Sequence, residues 1–110
     1  MPIWRVSPVE DEPEIALRLW RVFETERGER HFIGQNIDSR TGRVSSAIHS
    51  FDPQSRTGVT RSGRRYVLVG GPGDDEDATH TWTLWKLVND VRTANNVTAE
   101  YEDLLGERAT

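Results

Sequence analysis

Within seven residues, Thr60-Arg61-Ser62-Gly63-Arg64-Arg65-Tyr66 gathers three guanidinium groups, two hydroxyls and a phenol. Such a donor-rich set suits phosphate or carboxylate recognition, because the guanidinium fork matches the geometry of an oxyanion. Ser62-Gly63 separates two strand-like runs, Val59-Thr60-Arg61 and Arg64-Arg65-Tyr66-Val67-Leu68-Val69. This predicts a two-residue hairpin connection with Gly63 at positive φ. In that register Arg61 and Arg64 stand directly opposite each other, and like charges so placed are destabilising. A negative group must answer them. One candidate is an internal carboxylate, Asp52 or a member of Asp74-Asp75-Glu76-Asp77. The other is a phosphate or acidic surface on a partner, bound by Arg61, Arg64, Arg65 and Tyr66 with Arg43 and Arg56 in support.

The remaining reactive residue types form no recognisable constellation. The three histidines, His31, His49 and His80, lack the spacing of a metal site or of a helical zinc motif. His49 and Asp52 are near enough in sequence to act as an acid–base pair, yet the serine-rich run Ser45-Ser46-Ala47-Ile48-His49-Ser50 provides such neighbours by chance. Gly70-Gly71-Pro72-Gly73 lacks the lysine and hydroxyl residue of a phosphate-binding loop, and its proline removes a backbone donor. It is read as a turn. The acidic run from Asp74 to Asp77 lacks the spaced ligands and terminal glutamate of an EF-hand, and suits the positive end of a helix dipole instead. With no cysteine, thiolate catalysis, disulfides and cysteine-ligated metals are excluded together. No catalytic residue, cofactor or metal is expected, and the chain is read as non-enzymatic.

These residues depend on the elements that carry them. Pro8-Val9-Glu10-Asp11-Glu12-Pro13-Glu14 disfavours regular structure, so residues 1–14 are read as an extended arm. From Ile15 to Glu24, Ile15, Leu17, Leu19 and Phe23 recur with period two, predicting a strand with Arg21 interrupting its apolar stripe. In strict alternation Trp20 and Val22 fall on the opposite face. If one helix covers only the first face, these two form an exposed partner or self-association surface, unless the arm with Ile3 and Trp4 folds over them. Thr25-Glu26-Arg27-Gly28 then turns the chain into a second strand from Arg30 to Ile37. A third follows from Val44 to Phe51, closed by Asp52-Pro53, and two more flank Ser62-Gly63. Beyond Asp77 the period changes, with Trp82, Trp85 and Val88 on one stripe and Leu84, Leu87 and Val91 beside it. That is an amphipathic helix, expected to lay Trp82 and Trp85 on Leu17, Leu19 and Leu68. Asn95-Asn96 ends it, and Thr98 caps a short last helix through Tyr101, Leu104 and Leu105 to Gly106.

Strands in hairpin order followed by a helix define an α+β domain: an antiparallel meander of about five strands over residues 15–73, and a helical part over 74–110 packed on one face. A small β-barrel with a C-terminal helix is the alternative. A chain of 110 residues supports one core, hence a single domain over 1–110.

The combination Gly42-Arg43-Val44-Ser45-Ser46-Ala47-Ile48, Phe51-Asp52-Pro53, and Gly58-Val59-Thr60-Arg61-Ser62-Gly63-Arg64-Arg65-Tyr66-Val67-Leu68-Val69-Gly70 with Pro72-Gly73 resembles a group of short bacterial proteins. The resemblance covers roughly residues 17–86. That group has no established activity, so the resemblance implies a bacterial accessory protein and carries no functional site with it.

A net charge of -4 argues against a generic electrostatic grip on nucleic acid, although it leaves room for a local basic patch. No apolar stretch reaches the roughly 20 residues of a membrane span, and Met1-Pro2-Ile3-Trp4-Arg5 lacks the apolar run of a secretory signal. A cytoplasmic location is therefore expected, and the sequon Asn96-Val97-Thr98 is read as coincidental. The sequence points to a protein acting through protein–protein contact, with nucleic-acid or polyanion binding through residues 60–66 as the alternative.

Overall fold

The computed structural model describes residues 9–106. Seven strands and two helices follow in the order β1 (Glu14–Thr25), β2 (Arg30–Asn36), β3 (Gly42–Val44), β4 (Ile48–Asp52), β5 (Thr57–Thr60), β6 (Arg65–Leu68), α1 (Glu76–Val88), β7 (Ala94–Asn96) and α2 (Thr98–Leu105). The class is α+β and the pairing mostly antiparallel, as the sequence predicts. The meander is not continuous, because the sheet order is β3-β2-β1-β6-β5-β4, with β7 also paired to β1. In its middle β1 runs parallel to β6, from Glu14 opposite Arg65 to Leu17 opposite Leu68.

The predicted third strand is in fact two strands on opposite edges of the sheet. Val44 ends β3 and Ile48 begins β4. A flat sheet would hold edges five strand spacings apart at about 24 Å, whereas four Cα steps reach at most about 14 Å. The sheet therefore curls until its edges face each other. It stays open, since no ladder among the described residues joins β3 or β2 to β4, and the barrel alternative is set aside. Each connector residue is fastened. The Ser45 amide donates to the Phe32 carbonyl at 2.9 Å, the Phe32 amide donates to Ser45 Oγ at 2.9 Å, and the Arg61 amide donates to the Ala47 carbonyl at 2.8 Å.

A β-bulge corrects the reading of β1. Arg18 pairs with Gln35 and Arg21 with Ile33, so Leu19 and Trp20 together oppose the single residue Gly34. Leu19 takes φ 49°, and the backbone crowds Gly34 so closely that a Cβ there would lie 3.0 Å from the Arg18 carbonyl oxygen. The extra residue reverses the alternation of side chains. Ile15 and Leu17 before the bulge, and Trp20 and Val22 after it, consequently share one face and one core with Phe32, Tyr66, Leu68 and Tyr101. The expected open-face patch at Trp20 and Val22 does not exist, since both are fully buried. Trp20 Nε1 also donates to the Gly70 carbonyl at 3.0 Å, which uses the Gly-Gly-Pro-Gly turn to close over the indole. Ile3 and Trp4, expected from the sequence as a cover for that patch, lie outside the described residues.

The same reversal puts Phe23 on the other face, where α1 lies. Asp75 caps α1 by accepting the Ala78 amide at 2.9 Å, with Glu76 and Asp77 in the first turn, so the acidic run is a helix lead-in. Trp82 packs with Ile33 and Val44, and with Phe23 and Trp85, rather than with Leu17, Leu19 and Leu68. Its ring stacks on Phe23 at 5.3 Å and on Trp85 at 5.4 Å. Helix and strand approach closely because Gly42 has no side chain: a Cβ there would come within 2.3 Å of the Asp77 carbonyl. The concave core is closed instead by α2, whose Tyr101 meets Phe51 edge-on at 5.2 Å. Thr98 does not cap α2. Its hydroxyl accepts the Val22 amide at 2.9 Å, beside the three-residue strand β7 that the sequence reading took for a helix end.

Trp20→Ala is expected to cost about 3–5 kcal/mol, the range for truncating a fully buried large aromatic, with no change in association state. An unfolding free energy from denaturant titration within about 1 kcal/mol of wild type would place Trp20 outside the core.

Candidate functional site

The connector between β3 and β4 closes one wall of a cleft of about 370 Å³. Arg27 and Glu29 from the β1–β2 loop, His31 from β2, Arg43 from β3, Arg61 and Arg64 from the β5–β6 loop, and Trp85 from α1 contribute to its lining. Curling of the sheet brings them together, because β2 and β5 are not neighbours within it.

The arginine hairpin differs from the sequence expectation by one residue. Val59 pairs with Arg65 and Gly58 with Tyr66, so Thr60 faces Arg64 and the loop is Arg61-Ser62-Gly63. The Gly63 amide donates to the Thr60 carbonyl at 2.8 Å, and Gly63 takes φ 88°, as a three-residue loop with a left-handed last position requires. Arg61 and Arg64 are therefore not cross-strand opposites, and the repulsion inferred from a two-residue turn is absent. Their partners also differ from those expected. Arg61 forms an ion pair with Glu29, and Arg64, 3% exposed, donates from Nε to the Glu12 carbonyl at 2.7 Å. Neither Asp52 nor the run from Asp74 to Asp77 takes this role. Asp52 accepts from Gln54 and Ser55 in the turn after β4, which also takes it away from any pairing with His49.

Strand alternation and topology sort the other predicted residues. Tyr66 and Arg43 reach the cleft, where Arg43 Nε donates to Tyr66 Oη at 3.3 Å and its guanidinium lies 6.0 Å above the ring. Arg65 points away, paired with Glu14 at 3.4 Å along the parallel β1–β6 contact. Arg56 donates to the Leu68 and Gly70 carbonyls at 2.7 and 2.6 Å and serves the fold. Trp20 and Val22 belong to the core. No protein-family model, curated protein or solved structure matches the chain, so the site stands on its own geometry.

Arg27, Glu29, His31 and Trp85 are not marked as binding residues by the sequence, which weighs His31 only as a metal ligand and Trp85 only as core cover, and gives Arg27 and Glu29 ordinary loop positions. Arg27 Nη2 donates to the carbonyls of Asn89 and Asp90 at 2.8 and 2.9 Å, fixing the end of α1 beside the cleft. His31 is 2% exposed, with Nδ1 2.9 Å from the Ser45 carbonyl oxygen. A carbonyl only accepts, so Nδ1 carries the proton and the neutral ring presents a lone pair at Nε2. That nitrogen is buried, and no group among the described residues supplies a hydrogen bond to it. Burial holds the imidazole below its ordinary value; the Ser45 carbonyl and Glu29 oppose this shift, while Arg61 and Arg27 add to it. Among the described residues there is no group of three or more histidine, cysteine or acidic side chains able to hold a metal, and no helix long and apolar enough to cross a membrane.

The depressed value has a definite sign for stability. As pH falls below 6.5, the ordinary imidazole value, the unfolded chain binds a proton that the folded chain still refuses. Unfolding free energy should therefore decline between pH 7 and the lower folded value, and this part of the slope should vanish in His31→Phe. Equal slopes in urea unfolding of the two proteins would show that His31 titrates normally.

Proposed function

We propose that this protein works by binding, and that its cleft takes an anionic group. The observation that carries this reading is a charge imbalance. Three guanidinium groups, those of Arg27, Arg43 and Arg61, meet one carboxylate, Glu29, among the described residues that line a single concavity of a chain whose net charge is -4. Like charges gathered in a partly desolvated recess repel, and an incoming oxyanion both relieves the repulsion and accepts charge-assisted hydrogen bonds. The hydroxyls of Ser46 and Ser62, 3.4 Å apart, add further donors at the rim. A recess of about 370 Å³ suits one small anionic group better than a track along a polymer. Support for the polyanion alternative thus moves from the whole hairpin to its cleft-facing members, leaving Arg65 and Arg56 out.

Titration with inorganic phosphate, followed through tryptophan fluorescence, tests this. Saturable binding should weaken about tenfold or more in Arg43→Ala or Arg61→Ala, the loss of a charge-assisted hydrogen bond being worth about 1.5–3 kcal/mol. Arg65→Ala should bind as wild type does. Equal losses in Arg65→Ala and Arg61→Ala would point to diffuse electrostatics and remove the cleft from the account.

Protein–protein contact keeps separate support on a different surface from the one first expected. Leu84, Leu87 and Val88 on the outer side of α1 are 42%, 74% and 44% exposed. An apolar patch of this kind marks a contact surface. Light scattering on Leu87→Glu should show a smaller particle than wild type if the patch mediates self-association, whereas a wild-type monomer at high concentration would leave only a foreign partner.

A further inference from the structure

In this cleft the guanidinium groups only donate and the hydroxyls can turn to donate or to accept, so neither distinguishes one tetrahedral oxyanion from another. His31 breaks that uniformity. Its Nδ1 is committed to the Ser45 carbonyl at 2.9 Å, which leaves the opposite nitrogen, Nε2, as an acceptor buried in the wall of a donor-lined recess. A buried acceptor without a partner is costly and rare. Glu29, the carboxylate of the lining, is already held by Arg61.

We propose that the cleft selects an oxyanion that brings its own proton, a hydrogen phosphate group, and discriminates against sulfate through the lone pair of His31 Nε2. Hydrogen phosphate has anionic oxygens for Arg43 and Arg61 and one P–OH to donate to Nε2. Sulfate has the same shape, but at neutral pH it has no proton, so its oxygen would meet Nε2 acceptor to acceptor. Conversion of His31 to a donor by protonation is opposed by burial and by Arg61 and Arg27. Because Nε2 is buried, the ligand reaches it only as a covering side chain gives way. The half-buried indole of Trp85, which lines the cleft with its centroid 4.6 Å from the imidazole, is the side chain whose displacement the proposal invokes.

This inference rests on the anion-binding reading and fails separately from it. The probes are inorganic phosphate, sulfate and methyl phosphate at pH 7.5, titrated against wild type and His31→Phe with tryptophan fluorescence as the signal. Phosphate should bind wild type about tenfold or more tighter than sulfate, on the scale of rejecting an analogue that leaves a buried polar group unpaired. In His31→Phe the two ions should bind about equally, and retained sulfate binding would show that the variant is folded with its cleft intact. Methyl phosphate, mostly without its proton at this pH since its second pKa is about 6, should bind wild type weakly and tighten as the pH is lowered. If it instead matches inorganic phosphate at pH 7.5, the proton is not what is recognised and the proposal is wrong. Equal binding of phosphate and sulfate by wild type, or a preference that survives in His31→Phe, would overturn the role of His31 while leaving the anion cleft standing. Absence of binding by either ion would overturn both.

Discussion

The geometry of the whole molecule depends on one extra residue in β1. With Leu19 at φ 49° and Gly34 opposite, β1 keeps its hydrogen bonds to β2 while its side chains exchange faces midway. Left-handed backbone is unfavourable for leucine, by about 1–2 kcal/mol for an ordinary L-residue. What holds it there is the burial that follows on both sides of the sheet. Trp20 and Val22 enter the concave core that α2 closes, and Phe23 stacks under Trp82 of α1. Without the bulge, Trp20 would face α1 and Arg21 the core, an exchange that leaves a large apolar ring against a helix surface and a cation without water. In the observed arrangement Arg21 lies on the helix side, where it donates to Thr79 Oγ1 at 2.6 Å.

The curl of the sheet is the second consequence of local chemistry with distant effects. Ser45 does the work of two partners: its amide and hydroxyl complete the edge of β2 at Phe32, and its carbonyl orients His31. The chain then leaves β2 and joins β5. His31, on one side of that departure, and the Arg61–Arg64 loop, on the other, come to face each other across the recess. The cleft is thus a product of strand exchange between edges, and each wall is held by backbone hydrogen bonds rather than by long side chains.

How much of this the sequence discloses follows from the range of the interactions concerned. The β1–β2 and β5–β6 hairpins and both helices were legible, because alternation, turn residues and caps act within a few positions. Even so, one residue of loop length separated Ser62-Gly63 from the true Arg61-Ser62-Gly63 connection, and that residue decided whether Arg61 opposed Arg64. Gly34 gave no sign of a bulge, since its significance lies in what crosses from Arg18 and Trp20. The break of 44–51 into two edge strands was equally hidden, as Ser45, Ser46 and Ala47 suit a strand interior. Half of the cleft was therefore visible as an arginine-rich hairpin. The other half, Arg27, Glu29, His31 and Trp85, becomes a site through the curl of the sheet and the parallel β1–β6 pairing, which joins residues about fifty positions apart.

The curled sheet also bears on how the protein behaves in a crowded solution. An open sheet has two edges, and an exposed edge is a template for pairing with another chain. Here β3 is only three residues long and lies against α1, where Gly42 admits the helix backbone so closely that no further strand fits between them. The start of β2 and β4 approach each other, with Arg30, Phe51 and Tyr101 lining the gap between them. The β3 edge is thereby covered by α1, and β4 turns toward β2 without the ladder of a closed barrel. Such an arrangement leaves less free edge for another chain to pair with, while keeping a seam at which no ladder among the described residues joins the two halves.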